Sequence, residues 1–162
     1  MNTTNNQQIP IQYFKFEEDF IEDNIRCIPM IVRFKLDACG IKLKLKEWSK
    51  MNEEERISLA EKPCNSKTEI QAYKAYLMDV VVQRTSEQVT ELAIDNEPVW
   101  MNTENIPDIL KEKCAEWNYS ITINQWKQLS ILERFVLLKL SRPSHENANF
   151  PKAMIEFGLV AN

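Results

Sequence analysis

The chain carries two copies of one pattern, 78 residues apart. Aligning Asn24 with Asn102 needs no gap as far as Leu59 on Leu137, and it gives nine identities in 36 positions. Unrelated sequence would give about two. The identities include Ile28-Pro29 on Ile106-Pro107, Ile31 on Ile109, Lys35 on Lys113, Trp48 on Trp126 and Glu55-Arg56 on Glu133-Arg134. Whatever residues 24–59 fold into, residues 102–137 are expected to fold into as well.

Periodicity within each copy gives the elements. Ile28, Ile31, Val32, Leu36 and Cys39 put apolar side chains on one helical face. Gly40 then stands where a helix end needs a left-handed residue, and its counterpart Asn118 is the next-best residue for that conformation. The alternation Ile41-Lys42-Leu43-Lys44-Leu45, matched by Tyr119-Ser120-Ile121-Thr122-Ile123, reads as a brief strand. One helix follows in each copy. It carries Trp48, Met51 and Leu59 in the first, and Trp126, Leu129, Leu132, Phe135, Val136 and Leu138 in the second. The second of these is the more apolar and is expected to lie centrally and buried. Lone strands leave backbone groups unpaired, so the two are expected to pair antiparallel across a pseudo-two-fold axis. The expected fold is mainly α: two pseudo-symmetric helix–short strand–helix units plus connecting and C-terminal helices. The architecture resembles paired EF-hands, but the alternating acids of a calcium loop are missing, and no calcium site is assigned.

At 162 residues the chain is expected to form one domain over residues 13–162, after a disordered tail over residues 1–12. Only two glycines argue against an all-β fold, which needs many tight turns. Tyr13, Phe14, Phe16 and Phe20 are expected to tuck inward. Ser66 and Glu69 have capping-box spacing and open a helix with Ile70, Tyr73, Leu77 and Val80-Val81 on its buried stripe. A shorter helix is expected from Ser86 to Ile94, a turn at Asp95-Asn96-Glu97-Pro98, and a polar loop from Ser141 to Asn147. Pro151 is expected to open a last helix and Gly158 to stop it.

Net charge is −4, which argues against a nonspecific nucleic-acid binder. No apolar run approaches the roughly 18 residues of a membrane span, and Met1 to Gln8 has no signal-peptide pattern. The chain is therefore expected to be cytoplasmic, with Cys27, Cys39, Cys64 and Cys114 as free, structural thiols. Zinc-ligand spacing, a phosphate loop and a dinucleotide fingerprint are all missing, so no cofactor or metal is expected.

Candidate functional residues fall in two places. Arg142 is followed by His145, Glu146 and Asn147, and His145 is the only histidine. This segment suits an anion or partner contact, or an acid/base pair; the plainer reading is a solvated loop. Arg33 and Asp37 sit one helical turn apart, and Ala115 in the second copy breaks that pair; the plainer reading is an i,i+4 ion pair. Glu55-Arg56 and Glu133-Arg134 are read as structural bridges, Trp48 and Trp126 as core anchors, and Lys42, Lys44 and Lys46 as a solvated strand edge. The segments Phe14 to Phe20 and Ala93 to Trp100 mix aromatics with acids and suit partner contact.

The run Arg26-Cys27-Ile28-Pro29-Met30-Ile31-Val32-Arg33-Phe34-Lys35-Leu36-Asp37-Ala38-Cys39-Gly40-Ile41-Lys42-Leu43 resembles the nitrate reductase-associated protein family. Residues Arg134 to Leu140, Arg142-Pro143-Ser144-His145-Glu146-Asn147 and Glu156-Phe157-Gly158-Leu159 fit the same pattern. The resemblance implies a cytoplasmic accessory factor that helps assimilatory nitrate reductase mature, load its molybdenum cofactor or receive electrons. The implied partners are nitrate reductase or a molybdenum-cofactor insertion protein. It carries over no catalytic residues, so a non-enzymatic helper is favoured over an enzyme. The alternative is a small-ligand or enzyme-like module, with an oxyanion or pterin-like group held between the two units by Arg33, Arg142 and His145, and with Asp37 or Glu146 as acid/base.

Overall fold

The computed structural model describes residues 13–17, 27–143 and 148–161. The tail expected over residues 1–12 lies outside them, as does Phe20. The chain divides into two compact units, one reaching Ile94 and the other starting at Asp95. It is mainly helical, with one two-stranded sheet among the described residues.

The first unit holds a 3-10 turn at Lys15–Glu17, helices α1 (Met30–Cys39), α2 (Leu45–Lys50), α3 (Glu53–Glu61) and α4 (Lys67–Thr85), and strands β1 (Ile41–Lys42) and β2 (Thr90–Glu91). Helix α1 starts after Pro29, which has no side chain to cap it. The Met30 N–H donates instead to Oε1 of Glu17 at 2.7 Å. A carboxylate there satisfies an orphaned donor and complements the helix dipole. Phe14 and Phe16 flank that contact, buried, with ring centroids 5.5 Å apart, so these two turn inward; Tyr13 does not, and is 40 % exposed.

Gly40 ends α1 with φ 70°, its N–H donating to the Leu36 carbonyl. Strand β1 follows, but it does not pair with the second copy. Its partner is β2 of its own unit, antiparallel, with Ile41 opposite Glu91 and Lys42 opposite Thr90. The Leu92 N–H extends the clip by donating to the Gly40 carbonyl at 2.8 Å. The helix expected from Ser86 to Ile94 is absent. Ser86 adopts φ 59° and terminates α4, and the Val89-Thr90 pair behind it favours extended backbone.

The single helix expected after each strand is two helices. Met51 and Leu129 are extended, with ψ 149° and 146°. Asn52 and Ser130 then cap new helices, each in reciprocal bonds with a glutamate three residues on. The Glu55 N–H donates to Asn52 Oδ1 at 2.8 Å and the Asn52 N–H to Glu55 Oε2 at 2.9 Å. Ser130 and Glu133 do the same at 3.1 and 2.8 Å. Two capping boxes thus interrupt an apolar pattern that reads as continuous. Ser66 and Glu69 open α4 in the expected way.

The second unit holds a 3-10 turn at Val99–Met101 and helices α5 (Asp108–Glu116), α6 (Ile123–Gln128), α7 (Ile131–Ser141) and α8 (Asn149–Glu156). Helix α7 is the buried centre that its composition predicts. Leu132, Phe135, Val136, Leu137, Leu138 and Leu140 are all buried, and α5, α8 and the 3-10 turn pack on it. Asn118 follows α5 with φ 56°, as its match to Gly40 requires. Tyr119 to Thr122 form no strand. Helix α8 starts two residues before Pro151, which still falls within the first turn, where a missing N–H costs nothing. Gly158 stops it at φ 70°. Helix starts recur at the 78-residue spacing, Met30 with Asp108, Leu45 with Ile123 and Glu53 with Ile131; the strand does not recur.

Two measurements test this account of the first unit. A Cβ on Gly40 would stand 2.7 Å from the Leu92 carbonyl oxygen, whereas one on Gly158 would meet nothing within 4 Å. Both have positive φ, so Gly158→Ala should cost about 1 kcal/mol in urea unfolding, and Gly40→Ala about 2 kcal/mol or more. Equal losses would mean that the clip does not constrain α1. Second, Arg84 of α4 holds Glu55 of α3 through Nε at 3.1 and 3.0 Å and Nη2 at 2.8 Å. This bond keeps the Glu55 carboxyl below its ordinary 4.5. A depressed folded value means stability that is present above the unfolded value and lost as pH falls through the folded one. Acid unfolding of the Arg84→Ala variant should therefore lose less stability between neutral pH and pH values below 4.5 than the parent does. An unchanged pH slope would show that the pair contributes nothing.

Candidate functional site

The charged groups placed inside the molecule mostly close helix ends. Lys35 of α1 is buried, and its Nζ donates to the carbonyls of Ala60 and Lys62, both at 2.6 Å. Tyr73 of α4 donates its hydroxyl to the Leu59 carbonyl at 2.7 Å. The last carbonyls of α3 are thus taken up by a lysine and a phenol from two neighbouring helices, and the cation sits where the helix dipole is negative. Burial lowers the Lys35 pKa and raises that of Tyr73.

The repeated Glu-Arg pair works in the same way. Each glutamate caps its own helix. Each arginine reaches back to the residue before the cap, Arg56 to the Met51 carbonyl and Arg134 to the Leu129 carbonyl. Arg134 also donates Nε to the Trp100 carbonyl at 2.7 Å and lies 5.8 Å from the ring centroid of Trp126. The structural reading of these pairs therefore holds, with carbonyls in place of the expected carboxylate partners. Trp48 and Trp126 are core anchors, fully buried, and the Trp126 Nε1 donates to the Asn102 carbonyl at 2.9 Å.

Glu47 departs from this pattern. It is buried, and its Oε2 accepts the Lys44 N–H at 2.7 Å. No donor among the described residues reaches its Oε1. Its counterpart Gln125 makes the same backbone bond and donates Nε2 to the Leu159 carbonyl at 3.3 Å.

Three of the four thiols are buried and the fourth, Cys27, is half-buried. Burial pushes Cys39 up to about 11 and Cys64 up to about 12, and raises Cys114. A thiol held protonated at neutral pH is a poor nucleophile and a poor metal ligand.

The residues singled out from sequence sit as follows. Arg33 and Asp37 are half-exposed on α1. The Arg33 guanidinium donates Nε to the Ile28 carbonyl at 2.8 Å and Nη2 to the Cys27 sulfur at 3.2 Å, which ties the approach to α1 onto the helix. Arg142 is exposed at the C-terminal cap of α7. His145, Glu146 and Asn147 lie outside the described residues. Sequence reasoning noted the match of Lys35 with Lys113 but not that both are buried. The only available signal was a lysine one turn before an apolar residue, Cys39, on an apolar face.

Replacing Lys35 with Met keeps the aliphatic stem and removes the donor. Two carbonyls at the end of α3 then lose their partner, and unfolding in urea should show a loss of about 2–3 kcal/mol. A change under about 0.5 kcal/mol would mean that water serves those carbonyls equally well.

No curated protein and no solved structure matches the chain. The family model for conserved nitrate reductase-associated proteins matches residues 13–157. That match takes in all four helices of the first unit and, in the second, everything from Asp95 to the end of α8. By this match the chain belongs to the family of conserved nitrate reductase-associated proteins.

Proposed function

We propose that the chain is a non-enzymatic accessory protein of assimilatory nitrate reductase. It acts in the cytoplasm by protein–protein association, in the enzyme's maturation, its molybdenum-cofactor loading or its activity. The family match over residues 13–157 carries this reading. The interior supports it, because Lys35 and Arg134 are taken up by the chain's own carbonyls and burial raises three of the thiols. Groups used in this way are withdrawn from chemistry on a substrate. The contact residues assigned to the partner are Arg142, His145, Glu146 and Asn147, with Arg33 and Asp37 of α1. A molybdenum-cofactor insertion protein is the second partner that this reading admits.

The test is an affinity pull-down of the tagged full chain from its own host grown on nitrate, read by quantitative mass spectrometry. Nitrate reductase or a molybdenum-cofactor insertion protein should be enriched. The Arg142→Ala/His145→Ala variant should recover several-fold less of it at an unchanged unfolding midpoint, as expected for a polar contact at an interface. A clean preparation from nitrate-grown cells would overturn the proposal. Nitrate reductase purified from a strain lacking the chain then separates the steps. Low molybdenum per enzyme points to loading, and full molybdenum with a reduced rate points to activity.

A further inference from the structure

In the first unit α4 lies across α1, α2 and α3. Ile31, Lys35 and Cys39 follow one another along α1, one helical turn apart. Lys35 Nζ stands 5.9 Å from the ring centroid of Tyr73 on α4. Ile31 and Cys39 are 5 % and 0 % exposed.

Seventy-eight residues on, the same positions of α5 carry Ile109, Lys113 and Trp117. Lys113 is again buried, but Ile109 and Trp117 are 38 % and 41 % exposed. The reason lies in the covering helix. Where α4 has 19 residues, the helix at the matching place, α8, has 8. At about 1.5 Å per residue that is roughly 28 Å against roughly 12 Å, and α8 packs on α7. The rim has changed as well. Met30, Phe34 and Ala38 of α1 become Asp108, Glu112 and Glu116 of α5. Glu116 takes the Lys113 Nζ at 2.9 Å, yet its side chain stays 61 % exposed.

Aromatic anchors inside a polar rim are the composition of an interface. The first unit shows what fits on this framework, a helix that buries Tyr73, Leu77, Val80 and Val81, and the acidic rim sets the charge of the helix that would fit here. We propose that the Ile109–Trp117 face of α5 is a docking site for a basic amphipathic helix of a partner protein. Apolar residues of that helix cover Ile109 and Trp117, and its Lys or Arg side chains meet Glu112 and Glu116. The inference deepens the accessory reading and rests on it only for the partner's identity.

The test uses the full chain and two synthetic 18-residue peptides. Both carry the same leucine stripe; one is flanked by lysines, the other by glutamates. Binding is measured by calorimetry, and contact by the shift of the Trp117 indole resonance. The lysine-flanked peptide should bind, move that resonance and weaken with salt, while the glutamate-flanked one does not bind. Trp117→Ser should lower affinity about tenfold or more. Glu112→Lys, at an exposed position that leaves the fold intact, should lower it too if the serine variant fails to fold. Equal binding of both peptides, no binding of either, or affinity unchanged by the substitutions would each overturn the proposal. So would a concentration-dependent dimer of the parent that Trp117→Ser abolishes, since the occupant would then be a second copy. Nitrate reductase is absent from this assay, so an empty pull-down and an unoccupied α5 face are separate failures.

Discussion

A six-residue helix such as α2 or α6 has more orphaned backbone groups at its two ends than bonds of its own. Apart from α4, no helix among the described residues exceeds eleven residues, too short to persist on propensity alone. The structure depends on side chains that close those ends. Asn52, Ser66, Thr122 and Ser130 do so within their own helices, each in reciprocal bonds with a Glu or Gln three residues on. Glu17, Lys35, Tyr73 and Arg134 do so from other elements. Each bond of the second kind fixes one element's position against another, so capping and tertiary packing are one event here.

This dependence explains what could be read from the sequence. Local closures were legible, because Ser66 with Glu69 and the left-handed sites at Gly40 and Asn118 announce themselves within a few residues. So was the buried character of α7, which nearly every position from Leu132 to Leu140 supports. Closures made at a distance were not. Nothing near Met30 says that Glu17 will cap it, and nothing near Ala60 says that Lys35 will. The split after Met51 and Leu129 was signalled by Asn52-x-x-Glu55 and Ser130-x-x-Glu133, but the continuing apolar rhythm outweighed it. Symmetry in sequence does not extend to pairing, since β1 pairs with β2 of its own unit. The pairing is decided by Gly40, whose missing side chain admits the Leu92 backbone. Asn118 has a side chain, and no strand forms after it.

The candidate site was legible only in part. Composition directed attention to polar residues such as Arg33, Asp37 and Arg142, and Arg33 turned out to tie down the approach to α1. A more distinctive surface feature, exposed Ile109 and Trp117 either side of buried Lys113 and beside Glu112 and Glu116, emerges only when α5 is compared with α1, where Ile31 and Cys39 are buried. Lys113 stays buried as Lys35 does, the core positions Val32 and Leu36 are matched by Leu110 and Cys114, and the outer positions Phe34 and Ala38 by Glu112 and Glu116.

The β1–β2 clip also sets an order of events. It joins Gly40 to Leu92, closing a loop of about 50 residues, a closure whose entropic cost rises only slowly with length. Every helix of the first unit lies inside or just before that loop, so the unit cannot complete its hydrogen bonds until the chain has been made through Leu92. During synthesis α1 has its N-terminal cap early, from Glu17, while the carbonyl at its far end waits for the last strand. The first unit is thus held open at one end until the stretch that leads into the second has emerged, and a chain cut short before Leu92 would carry an unclosed α1.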